Sequence, residues 1–347
     1  MASEVRAWHL LLVLLTWGAS LGPAAGAAPA PPLNVNYVKD WGRLVYHGTE
    51  VDLILDQSTA ARGGGFKSKS TYGSGFFHLR MKLPSGYTAG VVTTFYLISQ
   101  PEDGTRDEVD FEFLGDKAGV PITLQTNFFV NGHGQREQRL HLWFDPSADF
   151  HDYKILWNPY LLVMFVDETP IRVMPNLRST VPGYEFPTKP MLIRASIWDG
   201  SSWATDGGRT KVDWSKAPFT AGYQGFDVNG CATGSGTPCD SPGLWWNGAG
   251  YRDLTAQQRA AYEGVKKKYM IFDYCANKKG QITDPPPPPP PKQNASPTGD
   301  TTQRMAHCFV EALEACLAGT GSVLHRSLAA LGTTTMLQGP EFLRVYR

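Results

Sequence analysis

The stretch Asp107-Glu108-Val109-Asp110-Phe111-Glu112-Phe113-Leu114-Gly115 alternates between acidic and apolar side chains over most of its length. In a β-strand, side chains at i, i+2 and i+4 share a face. Read as a strand, the segment sets Glu108, Asp110 and Glu112 on one side. Val109, Phe111 and Phe113 fall on the other, where they can enter a core. Three carboxylates in a row repel one another, and a sequence serving stability alone would place Thr or Lys among them. Three readings remain: a solvated face, a calcium site built from oxygen ligands, or the paired carboxyl groups of glycoside hydrolysis. The spacing is not that of an EF-hand loop, which also needs Gly at its sixth position. A retaining glycosidase holds its nucleophile and general acid about 5–5.5 Å apart. At ordinary strand rise the α-carbons of Glu108 and Glu112 lie about 13 Å apart, and both side chains are long enough to lean inward over Asp110. Crowded like charges raise at least one pKa, which an acid working near neutral pH requires.

Outward from this strand the signals stay β. Apolar or alternating runs occur at 51–55, 75–83, 90–98, 123–130, 139–144, 153–157, 161–166 and 191–197, separated by Gly, Pro, Asn and Asp. Many short strands at such spacing predict an all-β sandwich or jelly roll. One helix follows. Thr255 and Gln258 form a capping-box pattern, and the helix should run to about Lys268, with Lys266, Lys267 and Lys268 at its C-terminal end. Residues 269–274 then read as a strand.

Composition narrows the partners. The 347 residues carry 32 Lys+Arg against 32 Asp+Glu, which argues against a nucleic-acid binder held by a basic field. Charged residues are 18% and aromatics 12%, with 10 Trp, a balance suited to a neutral partner such as a sugar. There is no dinucleotide fingerprint, and Gly63-Gly64-Gly65 leads into Phe-Lys-Ser rather than the Gly-Lys-Ser/Thr of a P-loop. Zinc motifs are missing too, so no cofactor or metal is expected.

Arg6, the apolar run 10–15 and Ala25-Gly26-Ala27 read as a signal peptide over 1–27, too short to span a bilayer core of about 30 Å. The mature protein is expected to be exported, without a membrane segment and monomeric. Export permits disulfides. Of the five Cys, 231 and 239 flank a Gly- and Thr-rich loop that a disulfide could close, while 275, 308 and 316 leave at least one thiol over. Residues 284–291 form a proline-rich linker expected to be a stiff rod, and 292–347 an atypical tail with a sequon at Asn294.

The carboxylate segment resembles the active-site signature of plant xyloglucan endotransglucosylase/hydrolases, within glycoside hydrolase family 16. The similarity continues through Leu124-Gln125-Thr126-Asn127, Arg136-Glu137-Gln138-Arg139, Leu142-Trp143-Phe144-Asp145-Pro146, Ser196-Ile197-Trp198-Asp199, Ser202-Trp203-Ala204-Thr205, and Asp213-Trp214-Ser215-Lys216-Ala217-Pro218-Phe219. It ends at Tyr269-Met270-Ile271-Phe272-Asp273-Tyr274-Cys275. The resemblance implies a concanavalin-like β-jelly-roll catalytic domain over 28–230 with a long cleft, and a C-terminal helix-strand extension over 231–283. It implies Glu108 as nucleophile, Asp110 as its helper and Glu112 as general acid/base. Gln125, Thr126, Asn127, Gln135, Arg136 and Glu137 would contact substrate, with Ser202, Trp203 and Gly207 on the acceptor side. The implied partners are xyloglucan donor and acceptor chains in the plant cell wall or apoplast. A hydrolase on other β-glucans and a catalytically impaired sugar-binding jelly roll are the alternatives. The chain departs from the family pattern at Arg106, where many relatives have His, and after Gly115, where it lacks their glycosylation sequon. It also lacks a Cys soon after Cys275, and Lys278 and Lys279 are the candidates for the family's substrate-facing basic residue.

Overall fold

The computed structural model describes residues 31–59 and 63–276. The signal peptide, the linker, the tail with Asn294, Cys308 and Cys316, and Lys278 and Lys279 lie outside the described residues. A four-residue helix, α1 (Leu33–Asn36), leads into strands that pair antiparallel throughout.

One layer runs, in spatial order, β1 (Tyr37–Trp41), β4 (Gly64–Ser68), β13 (Met191–Asp199), β6 (Val91–Ser99), β7 (Glu108–Leu114), β8 (Thr123–Phe129), β9 (Gln138–His141) and β16 (Met270–Asp273). The other runs β2 (Arg43–His47), β3 (Glu50–Leu55), β14 (Phe219–Gln224), β5 (Tyr72–Lys82), β10 (His151–Trp157), β11 (Leu161–Val166) and β12 (Thr169–Pro175). Strand β15 (Asn229–Ala232) also pairs with β5. Between β13 and β5 a single residue pair, Met191 with Tyr72, joins the two layers into one hydrogen-bonded sheet. This is the jelly-roll sandwich expected from the strand pattern.

The core lies between the layers. On β7, Phe111 stacks on Phe95 (5.8 Å, 7°) and on Phe113 (6.4 Å, 3°). Both β7 rings meet Tyr153 of β10 edge-on, at 5.8 and 4.8 Å. Phe66 of β4 meets Tyr223 of β14 at 5.3 Å in the same way. The odd positions of β7 therefore face the opposite layer, as the alternation requires.

A second apolar cluster covers the outer face of the β5–β10–β11–β12 layer. Leu156, Leu161, Val163 and Phe165 pack there against Trp246, Leu254 and Tyr262 of the C-terminal segment. Helix α2 (Ala256–Lys268) carries the predicted capping box: Thr255 accepts from the Gln258 backbone N–H and Gln258 accepts from the Thr255 N–H. Cys231 and Cys239 are disulfide-bonded beneath this cap, and Cys275 is also disulfide-bonded. Among the described residues, no helix is long and apolar enough to cross a membrane.

Phe111 is fully buried and touches rings from both layers. Phe111→Ala should lower stability by about 3–5 kcal/mol, read as a reduced midpoint in urea unfolding with little change in slope.

Candidate active site

Directly opposed residues of antiparallel strands share a face, so the pairing register maps the outer surface around β7. From β6, Ile98, Tyr96 and Thr94 stand beside Glu108, Asp110 and Glu112. On the other flank, β8 places Phe129, Asn127 and Gln125 beside the same three carboxylates. Behind these stand Arg194 and Ser196 of β13 and Arg139 of β9. The three carboxylates thus occupy one outward row in the middle of a sheet, with the aromatic core directly behind.

The row is sheltered. The Glu108 side chain is 14% exposed and Asp110 as a whole 6%. Burial pushes Glu108 upward, and the charge and hydrogen bond of Arg106 pull it back. The Arg106 guanidinium donates from Nε to Glu108 Oε2 and lies 4.5 Å over the Phe129 ring. Burial first, then the charges of Glu108 and Glu112, holds Asp110 well above the usual carboxylate range. Glu112 is pushed up to about 7 by burial, against a hydrogen bond from Gln125, with Glu108 and Glu137 adding repulsion. That bond runs from Gln125 Nε2 to Glu112 Oε2 at 2.7 Å. One end of the row is therefore a carboxyl bonded to a guanidinium. The other end bonds to a neutral amide, and the middle is biased to the protonated form. Such a set can present an ionised nucleophile and a protonated acid at the same pH.

The structure places the other expected residues unevenly. Gln125 and Asn127 line the row. Thr126 does not: it pairs with Phe111 on the core side, fully buried, and binds the guanidinium of Arg172 from β12 at 3.0 Å. Arg136 is likewise fully buried, donating to the carbonyls of Phe128 and His133, so its side chain braces the β8–β9 turn. Both side chains are buried while their neighbours in the same contiguous stretches, Gln125, Asn127, Gln135 and Glu137, face the row or the surface.

Gln135 is exposed at positive φ (63°) in that turn. Glu137 accepts from Asn127 Nδ2 at 3.4 Å, and its charge acts on Asp110 and Glu112. Trp203 sits half-buried on Val92, Leu114 and Ala204, its ring 6.1 Å from Trp198. Leu114 follows Glu112 by two residues, so this apolar ledge lies at the Glu112 end of the row. Ser202 is exposed beside it, and Gly207 takes φ 64° in the same loop.

Sequence reading missed Arg139, Tyr96 and Arg194. Arg194 bridges Asp40 (3.1 Å) and Glu102 (2.7 Å) near the Glu108 end. Applying strand alternation to β9 and β13 would have placed both arginines on the outward face. Among the described residues, no group of three or more His, Cys, Asp or Glu could hold a metal ion.

Comparison with known proteins agrees with this geometry. Residues 34–216 match the family described as glycosyl hydrolases family 16, and residues 240–287 match the xyloglucan endo-transglycosylase C-terminus. Xyloglucan endotransglucosylase/hydrolase protein 3 of Arabidopsis thaliana is 48% identical over 258 residues, covering 72% of this chain and 86% of the relative. The chain belongs to the xyloglucan endotransglucosylase/hydrolase family. The putative protein 1 of the same plant is 50% identical, covering 70% of this chain and 81% of its own. Among solved structures, a Bacillus licheniformis β-glucanase is similar at 24% identity and a TM-score of 0.45, covering 58% of this chain and 96% of that one.

In this family member Arg106 stabilises the ionised form of Glu108. Replacing it removes that stabilisation while the burial stays. Arg106→Met should therefore move Glu108 ionisation to higher pH. A carboxyl-carbon NMR titration of the labelled protein measures the change directly.

Proposed function

We propose that this chain cleaves the β-1,4-glucan backbone of xyloglucan with retention and passes the glycosyl fragment to another xyloglucan chain, or to water. The observation that carries the reading is the asymmetric row: Glu108 bonded to a cation, Glu112 raised to about 7 and bonded to an amide, on one sheltered face of one strand.

Each carboxyl has a role that follows from its surroundings. Ionised Glu108 attacks the anomeric carbon. The glycosidic carbon–oxygen bond breaks, its electron pair goes to the leaving oxygen, and Glu112 gives that oxygen its proton. A covalent glycosyl-enzyme remains. Glu112, now a carboxylate, takes a proton from an incoming sugar hydroxyl or from water, and the new oxygen displaces Glu108 from the anomeric carbon. Asp110, held neutral between them, reduces the repulsion that would otherwise accompany an ionised Glu108. Asn127 and Gln125 border the row, and Glu137 is tied to it through Asn127. The Trp203 ledge at the Glu112 end is the natural seat for the departing chain and for the acceptor, since aromatic faces and apolar surface suit sugar rings. Export to the apoplast, supported by the signal sequence read above, would bring the enzyme to its polymer in the cell wall.

The test is a transfer assay with xyloglucan donor and labelled xyloglucan oligosaccharide acceptor. Label should enter polymer with the wild type, and Glu108→Ala should abolish both transfer and reducing-end release. Full activity in that variant would sink the nucleophile assignment. Glu112→Gln should slow polymer cleavage roughly 10²–10⁴-fold, measured as the rate of loss of donor chain length.

A further inference from the structure

Glu112 has two carboxyl oxygens, and only a proton on the one facing the leaving group serves cleavage. Gln125 Nε2 donates to Oε2. An amide NH₂ can only donate, so while it faces Oε2 that oxygen is an acceptor, and the acid proton belongs on Oε1. This holds only as long as the Gln125 amide cannot turn over. Flipped, its carbonyl would face Glu112 and draw the proton onto Oε2.

What prevents the flip is Arg139. Its Nε donates to Gln125 Oε1 at 2.7 Å. A guanidinium only donates, so turning the amide would set N–H against N–H. Arg139 faces Gln125 directly across the β8–β9 ladder. Its guanidinium lies 5.6 Å from the Phe272 ring centroid, a contact that holds the planar group in place.

Phe272 reaches that position through an irregularity in β16. Met270 pairs with Leu140, which faces the core, and unbroken pairing would set Phe272 opposite Gln138, which is also buried. Instead the register shifts at Ile271, which is left 54% exposed, and Phe272 pairs with Arg139 on the outward face. Bulges of this kind re-aim side chains beside active sites.

We propose that Arg139, steadied by Phe272 of the C-terminal extension, is a positioning residue that fixes the Gln125 amide and through it the oxygen of Glu112 that carries the catalytic proton. The proposal rests on the functional reading above and deepens it. Gln125 becomes the link between the extension and the general acid, beyond any contact it makes with sugar.

Leaving-group dependence separates this role from a merely structural one. A natural glycosidic oxygen needs the acid proton, whereas an activated aryl leaving group departs with little help. Arg139→Met keeps an unbranched apolar stem and removes the donor. It should lower kcat on xyloglucan roughly tenfold or more, within the range that general acid catalysis supplies, with KM little changed. On an activated aryl β-glycoside of a xyloglucan oligosaccharide the same variant should stay within about threefold of wild type, since the acid contribution is not drawn on there. Arg139→Lys, which keeps a donor and a charge, should recover part of the loss on polymer. Thermal unfolding of each variant, run alongside, should match wild type. Equal losses on both substrates would overturn the proposal, as would unchanged kcat on polymer. A wild-type protein that turned over neither substrate would overturn the functional reading itself.

Discussion

The carboxylates of β7 are held together by what lies behind them. Left to themselves, three acidic side chains on one face would separate or find solvent. They do neither because Val109, Phe111 and Phe113 are locked into the core by rings from both layers. The side-chain period of a strand is two, so a slip of one residue would exchange the faces. The acids would enter an aromatic interior at the high cost of burying charge, and the phenyl rings would cover the row. Hydrophobic register thus sets the chemistry: packing on one side of the strand supplies the energy that keeps repelling groups in line on the other.

The repulsion is then distributed unequally. Arg106 attaches to Glu108, a neutral amide attaches to Glu112, and Asp110 in the middle is driven toward its neutral form by burial and by both neighbours. A symmetric row would titrate with its protons shared among the sites. This one is uneven: burial raises Glu108 but the Arg106 cation pulls it back toward the ionised form, while Glu112 is pushed up to about 7, the asymmetry that the proposed acid-assisted displacement would use. Arg106 is a permanently charged guanidinium, so its pull on Glu108 does not depend on the titration of the partner.

Much of this was legible in the sequence because it follows from period two. The runs 51–55, 153–157 and 161–166 fall within or coincide with β3, β10 and β11, and the capping box starts α2 where Thr255 and Gln258 said it would. Strand β4 is not among the predicted runs, because its glycines carry no apolar alternation. Gly65 is there because a Cβ would meet the Ala195 carbonyl at 2.8 Å and the Trp41 ring at 2.9 Å, a close approach that only glycine allows. Strand β9 ends at His141, short of the predicted 144, because Trp143 and Phe144 leave the ladder to pack on Tyr269 and His151. Thr126 points inward because a strand presents only every second residue to one face, and Arg136, in the loop before β9, is buried by the carbonyls it binds. The shift at Ile271 had no signal in the sequence, since nothing in Met-Ile-Phe-Asp distinguishes a bulge from regular pairing.

That shift gives the C-terminal extension a meaning beyond covering an edge. Its helix packs on β12 of one layer and its strand pairs with β9 of the other, so the segment grips the sandwich from both sides. An extension needed only to protect an exposed strand edge could keep regular register and put Phe272 beside the buried Gln138. The irregular register instead gives up regular pairing at Ile271 to bring an aromatic ring to Arg139, two hydrogen bonds from Glu112. The apolar ledge of Trp203, Leu114 and Val92 borders the same carboxyl along the strand. The Glu112 end of the row is therefore built from two separate parts of the molecule, the loop after β13 and the extension. On the proposed mechanism, a sugar hydroxyl and water compete for the glycosyl-enzyme at that end. On that mechanism, sequence changes in either part would shift the competition without touching the carboxylates.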